Sequence, residues 1–135
     1  MVKFLSSEWV DQARDIILNE LDPVKDLKNA TTSFILVITN IPPDSGTRSV
    51  YVSVTNGRLT DILREEHDIS SQKKAEFVVT GNYDTFVQIV QGQMSIVGAL
   101  IKGRVQFKGS TMKALAFQQP IERINDCLRK IDTEF

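Results

Sequence analysis

The sequence predicts an α+β fold, a five-stranded and mostly antiparallel sheet covered on one face by helices. Three observations carry that prediction. Three strand patterns follow one another in the middle of the chain, and two of them meet at Asn56-Gly57, the strongest short signal for a tight hairpin. Segments with apolar residues at three-and-four spacing come before, between and after the strands. The 135 residues, 41% of them apolar, suffice for one core, so a single domain over residues 1–135 is expected.

Ser6 and Ser7 precede Trp9, Val10, Ala13, Ile16, Ile17 and Leu21, the inner stripe of a first helix, with Glu8 near the positive end of its dipole. Asp22-Pro23 ends that helix, because proline disfavours helical geometry in the residue before it and lacks the amide of the next turn. Residues 24–31 form a connector. From Thr32 to Thr39 both alternating faces are apolar, Phe34, Leu36 and Ile38 against Ile35 and Val37, as in a strand covered on both sides. Asn40 to Gly46 has the turn chemistry of a surface loop. Val50, Val52 and Val54 then alternate with Tyr51, Ser53 and Thr55 up to the Asn56-Gly57 turn. A two-residue turn fixes the register, pairing Thr55 with Arg58, Val54 with Leu59, Val52 with Asp61 and Val50 with Leu63. Asp61 thereby falls on an otherwise apolar face. It is an inward charge that blunts an edge strand, a residue turned out to water by a bulge, or a carboxylate in a ligand site.

The polar stretch from Glu65 to Lys74 predicts a solvated connection. Ala75, Phe77 and Val79 alternate with Glu76, Val78 and Thr80 in a further strand that stops at Gly81. Tyr83, Phe86, Val87 and Val90 fall at i, i+3, i+4 and i+7 in a second helix, with Gly92 as its C-terminal cap. Met94 to Ile101 is apolar around most of its circumference and bounded by Gly92 and Gly103, which predicts a short buried helix. Arg104, Gln106 and Lys108 alternate with Val105 and Phe107 in the last strand. Thr111 to Phe117 begins a helical region. Pro120 suits the first position of a final helix whose inner stripe is Ile121, Ile124, Cys127, Leu128 and Ile131.

Composition removes several functions. Sixteen basic and seventeen acidic side chains leave a formal charge of −1, so no whole-molecule positive field exists to hold nucleic acid. The longest apolar runs, Phe34 to Ile38 and Ile96 to Ile101, are too short to span a bilayer, which leaves transient membrane contact at most. No secretory leader is visible at the N-terminus, and the single Cys127 cannot form an internal disulfide. A cytoplasmic location is expected.

A catalytic constellation is also missing. His67 is the only histidine, and its neighbours in Arg64-Glu65-Glu66-His67-Asp68 diverge on an extended chain, so a solvated loop explains it better than a metal or a triad. Gly98 and Gly103 have the interval of a phosphate loop, but the lysine and hydroxyl that should follow are absent. Cys127 lies on an apolar stripe as an inert buried thiol. No enzyme activity, metal or cofactor is expected. The informative feature is an apolar surplus from Tyr83 to Ile131, where two successive helices carry apolar residues on more than one face. Such a surplus completes the core, meets a partner subunit or surrounds an apolar ligand.

The segment GQMSIVGALIKGRVQFKGSTMKAL, Gly92 to Leu115, resembles the signature of the sterol carrier protein type 2 family. In that family a short apolar helix leads to a glycine, an alternating strand with Lys or Arg, a second glycine and a final helix of small and apolar residues. Gly92, Met94, Ala99, Gly103, Arg104, Val105, Phe107, Gly109, Ala114 and Leu115 fall in register with it. Ala75 to Gly81 and the helix up to Gln91 fit the family's preceding strand and helix. The chain departs where Ser95 and Ile96 replace the usual Asn and Pro, and where Ser110-Thr111 replaces Asn-Met. It also lacks the C-terminal Ser-Lys-Leu address of peroxisomal members.

The resemblance implies an apolar tunnel between sheet and helices that holds a fatty acid, fatty acyl-CoA, sterol or phospholipid without chemistry. Carried over, its lining would come from Phe86, Ile89, Val90, Met94, Val97, Leu100 and Ile101. Leu115, Phe117, Ile121 and Ile124 would form the C-terminal cover, with Pro120 at the gate. A headgroup would sit near Lys102, Arg104 or Lys108. The alternative is an interaction or dimerisation module, tied to a lipid-metabolising enzyme and empty of ligand. Either a monomer or a homodimer is compatible with the sequence.

Overall fold

The computed structural model describes residues 1–135. Its elements in chain order are β1 (Val2–Lys3), α1 (Ser7–Glu20), β2 (Thr32–Ile41), β3 (Gly46–Thr55), β4 (Arg58–Glu65), β5 (Phe77–Asn82), α2 (Tyr83–Val90), α3 (Ile96–Ile101), β6 (Val105–Lys108), α4 (Thr111–Ala116), α5 (Gln118–Leu128) and β7 (Thr133–Glu134). The main sheet has the strand order β4-β3-β2-β5-β6, antiparallel except where β2 runs beside β5. The α+β prediction and the five-stranded sheet are thus both observed.

Local chemistry sets the helix starts. Ser6, Asn82, Ser95 and Ser110 each stand in extended conformation ahead of a helix, and each accepts an otherwise unpaired amide, from Trp9, Thr85, Gly98 and Lys113. α1 stops at Glu20, just before the Asp22-Pro23 pair that cannot continue it. The β3–β4 turn uses Asn56 and Gly57 at φ +50 and +78, the left-handed pair that a two-residue hairpin requires. Gly57 is also fixed by space, since a Cβ there would collide with the Pro23 carbonyl oxygen.

Alternation on β2 divides the interior. Phe34, Leu36 and Ile38 point to the helices, whereas Ile35 and Val37, 0% and 1% exposed, point to the opposite face. On the helical side, Trp9, Val10 and Ala13 of α1, Phe86, Ile89 and Val90 of α2, and Ala99 of α3 join the sheet residues in one core. α5 packs on α1 and α2, and Cys127, Ile17, Leu21 and Leu27 form a satellite cluster below it.

Four expectations are corrected. In the β3–β4 hairpin the register holds at Thr55–Arg58 and Val54–Leu59, but then Ser53 pairs with Asp61 and Val52 with Ile62. Thr60 is the extra residue of a bulge, and its hydroxyl donates to the Ser53 carbonyl at 3.0 Å. The bulge restores an apolar inner face by bringing in Ile62 and turns Asp61 out to water. Residues 66–75 are not simply solvated. Ile69 is buried on Ile35 and Val37, and Ser49, wholly inaccessible, donates to the His67 carbonyl at 2.6 Å while accepting the Ile69 amide at 3.1 Å. The stretch therefore closes the far side of β2 that the sequence marked as covered.

α3 is not a buried helix. It lies against β6 with only Ala99 sealed, and Ile101 at its end is 80% exposed. The fourth correction is an addition, a two-stranded parallel pair of β1 with β7, locked by the Trp9 indole N–H donating to Thr133 Oγ1 at 3.0 Å. Two-residue strands are too short to carry an alternation signal.

Candidate functional site

Between the sheet and the helices lie two neighbouring apolar cavities. The larger, about 90 Å³, has a floor of Phe34, Leu36 and Ile38 on β2 with Val50, Val52 and Ile62 on β3 and β4. Trp9, Ala13 and Ile17 wall it on the α1 side, Phe86, Ile89 and Val90 on the α2 side, and Ile121, Ile124 and Leu128 on the α5 side. Ala13 leaves space among these large side chains because its methyl is far shorter than its neighbours. Asn125 is the one polar wall residue, and its amide is used to hold α5 to α2, Nδ2 donating to the Ile89 carbonyl at 2.7 Å.

The smaller cavity, about 60 Å³, lies toward the other edge of the sheet. Phe77 and Val79 of β5, Val105 and Phe107 of β6, Val97 and Leu100 of α3 and Ala114 of α4 form most of its wall. Phe34, Leu36, Ile96 and Ile121 belong to both cavities, so these four side chains are the septum between them. A third, open groove of about 200 Å³ adjoins both at Ile96 and Ile121 and is lined by Met94, Ser95, Glu122, Asn125, Asp126 and Arg129. Polar groups at this lip and apolar groups inside give a gradient suited to an amphipathic molecule.

Void space in a core has a cost. At roughly 24 cal/mol per Å³, the larger cavity alone represents about 2 kcal/mol of forgone packing. Its walls offer no set of polar partners that would hold water, so an apolar occupant is the only kind that recovers that energy. No lysine, arginine or histidine lines either cavity, and a charged headgroup must therefore remain at a lip in solvent.

The structure places the eleven sequence-derived lining residues as follows. Phe86, Ile89, Val90, Ile121 and Ile124 border the larger cavity, and Val97, Leu100 and again Ile121 border the smaller. Met94 sits in the open groove instead. Phe117 stands behind the wall, its ring edge-on to Phe77 at 6.1 Å. Ile101 and Leu115, 80% and 50% exposed, border neither cavity, a correction that follows from α3 and α4 each presenting a second apolar face to solvent. Of the proposed headgroup cations, Lys108 is also corrected: Val105 and Phe107 point inward, so Lys108 points to the opposite face, where its charge helps Ser70 hold the Asp68 carboxyl below its ordinary range. The sheet floor and the α1 wall lie outside the lining that the resemblance implies, although the Phe34-Leu36-Ile38 alternation and the Trp9-Ala13-Ile17 stripe signal both.

The remaining singled-out residues lie away from the cavities. His67 is exposed, with Nε2 3.4 Å from Gln72 Oε1. Cys127 is buried in the satellite cluster, and that burial pushes its thiol up from the ordinary range. Residues of the His, Cys, Asp and Glu types do not gather in groups of three or more that could hold a metal ion. No helix is long and apolar enough to cross a membrane.

A sheet and a helical layer with apolar cavities between them define the class of fold, a two-layer scaffold with space for an apolar molecule. The sequence profile of the SCP-2 sterol transfer family matches residues 18–122, and the chain belongs to that family. No curated protein sequence matches. Among solved structures, the conserved hypothetical protein TT1886 of Thermus thermophilus is similar at 20% identity and a TM-score of 0.79, over 99% of this chain and 93% of that one. A crystal structure of sterol carrier protein 2 is similar at 17% identity and a TM-score of 0.75, over 96% and 99%. A palmitated SCP2L2 from Aedes aegypti is similar at 16% identity and a TM-score of 0.60, over 86% and 94%. The sec-alkylsulfatase Pisa1 of Pseudomonas sp. is also similar at 20% identity and a TM-score of 0.50, but only 14% of that chain is covered. These likenesses establish the fold, and the family is one of lipid binding and transfer.

Proposed function

We propose that the protein is a non-catalytic carrier, a single lipid-binding domain that holds the chain of a fatty acid, fatty acyl-CoA or comparable lipid in the two chambers between sheet and helices. The observation that carries this reading is the pair of adjoining apolar cavities, separated only by Phe34, Leu36, Ile96 and Ile121, in a member of a lipid-transfer family. Rotation of Ile121 or Phe34 would join them into one tunnel. A chain threaded through both would contact Phe86, Ile89, Val90 and Ile124 at one end and Val97 and Leu100 at the other. Met94 would meet the part that emerges into the groove.

Burying about twelve methylenes at roughly 0.8 kcal/mol each yields near 10 kcal/mol gross, and association costs reduce this to binding of about micromolar strength. Recognition of this kind needs no directional contact, so specificity is set by length and girth. α5 forms a wall of both chambers and of the groove, and its first turn contains Pro120, which makes α5 the element that must move for exchange. Fatty acyl-CoA would leave its phosphates in solvent near Lys102 and Arg104.

Native mass spectrometry of gently purified protein, followed by organic extraction, tests the proposal. A mass excess of a few hundred daltons, about that of one lipid, that disappears on denaturation is the expected result. Protein that is empty and also takes up neither fatty acid nor acyl-CoA overturns it. An empty dimer with the same failure would assign the apolar surplus to an interaction module.

A further inference from the structure

We propose that the exposed apolar edge formed by the end of α3 and by α4 is a docking surface for an anionic phospholipid bilayer. Eight large apolar side chains stand in solvent, and three of them fall within residues 101–115: Ile101 at 80% exposure, Met112 at 84% and Leu115 at 50%. The other five are dispersed, with Met1 and Phe135 at the chain ends and Leu18, Val24 and Leu63 elsewhere. α3 and α4 both wall the smaller cavity, through Leu100 and Ala114, and Ile101 and Leu115 are the next residues along each helix. Met112 and Leu115 are three apart on α4 and share a face. The three exposed side chains thus stand on the solvent side of the two helices that wall that cavity.

Charge selects the partner. From residue 85 to residue 121 the chain contains no Asp or Glu, although it has seventeen acids in all and a net charge of −1. The same stretch contains Lys102, Arg104, Lys108 and Lys113. Lys113 is engaged with Glu76 at 3.2 Å, and Lys108 leaves from the opposite face of the sheet. Lys102 and Arg104 remain, both exposed and neither in an ion pair, immediately after Ile101. Gly103 between them has φ +71 and nothing within 4 Å of a Cβ position, so the space beside this turn is open. The first acid beyond the stretch, Glu122 on α5, lines the smaller cavity and the open groove, where the Gln118 amide donates to its carboxylate at 3.2 Å.

Apolar side chains flanked by free cations fit the interfacial layer of an anionic membrane, where the chains enter the acyl boundary and the cations reach the phosphates. A second copy fits less well, because a symmetric pair joined at this edge would face Lys102 and Arg104 with their own equivalents. The purpose of such docking rests on the carrier reading, since a carrier must meet the membranes it serves. The binding itself does not.

The test is co-sedimentation of the full chain with vesicles of phosphatidylcholine, with and without phosphatidylserine. Binding to the anionic vesicles is expected, weakened by raised salt and by about twenty-fivefold in the double variant Lys102→Gln, Arg104→Gln, at about a factor of five per cation. The variant Ile101→Ser, Met112→Ser should also lose binding, while its thermal stability and lipid loading stay unchanged because both side chains are exposed. Absence of binding to anionic vesicles, or binding indifferent to both variants, overturns the proposal. A dimer that Ile101→Ser, Met112→Ser dissociates, with no vesicle binding, overturns it in favour of self-association. Lipid loading without vesicle binding refutes docking alone, whereas vesicle binding by a chain that never loads lipid sustains docking and refutes the carrier reading.

Discussion

Replacing Ile121 by alanine should convert two chambers into one. Ile121 is the half-buried α5 residue that borders the larger cavity, the smaller cavity and the open groove at once. The substitution removes three carbons from the septum. Full burial would make the loss about 2–5 kcal/mol, and at half burial about 1–2 kcal/mol is expected, a fall in Tm of roughly 3–8 °C for a chain of this size. The effect on ligand binding runs the other way. Each methylene that enters an apolar chamber contributes about 0.8 kcal/mol, about fourfold in Kd, until the chamber is full. The native protein should therefore gain affinity along a series of saturated chains and then level off. Ile121→Ala should continue to gain over several further carbons, because the space beyond the septum is open to the same chain. Displacement of a fluorescent fatty acid by saturated acids of increasing length measures both profiles. Identical profiles, with binding intact in both proteins, would refute the septum and with it the joined-tunnel reading. Leu115→Ala, on the exposed face of α4, is the matched control and should change neither profile nor Tm.

Four other perturbations address the scaffold. Ser49→Ala leaves the His67 carbonyl and the Ile69 amide without their buried partner, so a loss of about 1–3 kcal/mol is expected, with hydrogen exchange at Ile69 rising before that of the sheet. Gly57→Ala drives a methyl into the Pro23 carbonyl at a φ of +78, and urea denaturation should show a loss of about 3 kcal/mol or more. The Cys127 thiol, whose titration burial pushes upward, should react with Ellman's reagent slowly in native protein at neutral pH and fast after unfolding. The Thr32 hydroxyl at 2.6 Å, helped by Lys113, holds the Glu76 carboxyl below its ordinary 4.5. Because the folded value is the lower one, its stabilisation is present above about pH 4.5 and is lost as pH falls through the folded value. Glu76→Gln should accordingly flatten the acid limb of a plot of stability against pH.

What the sequence disclosed and what it hid have different physical origins. Trp9, Ala13 and Ile17, or Val50, Val52 and Val54, are visible because burial imposes a period of 3.6 or 2 on the chain itself. The hairpin turn was legible for the same reason, since Asn56-Gly57 states its own backbone conformation. The bulge at Thr60 was legible only indirectly, as one of the explanations for a carboxylate at Asp61 on an apolar face, because one inserted residue leaves the composition of a strand unchanged while reversing which side chains face inward. Ser49 and Ile69 show a third limit. A serine in an alternating strand and an isoleucine in a polar run look ordinary apart, and only the fold brings them 3.1 Å together to close the outer face of β2.

The cavities were half legible, and the missing half explains why apolar helices are a poor guide to a lipid site taken alone. A chamber is defined by facing walls, so the lining from α2 and α5 could be named from the surplus after Tyr83 while the floor from Phe34 to Ile38 passed as ordinary core. Surplus also has two destinations. Val97 and Leu100 turn it inward to the smaller cavity, whereas Ile101, Met112 and Leu115 carry it to the surface. A helix with two apolar faces must put one of them somewhere other than the core. In α3 both uses occur within six residues, so the wall of the smaller chamber and the edge proposed to meet the bilayer are two faces of one short helix. A membrane that engages Ile101 would therefore act on Leu100 through the same backbone, which couples docking to the packing of the chamber without any long-range relay.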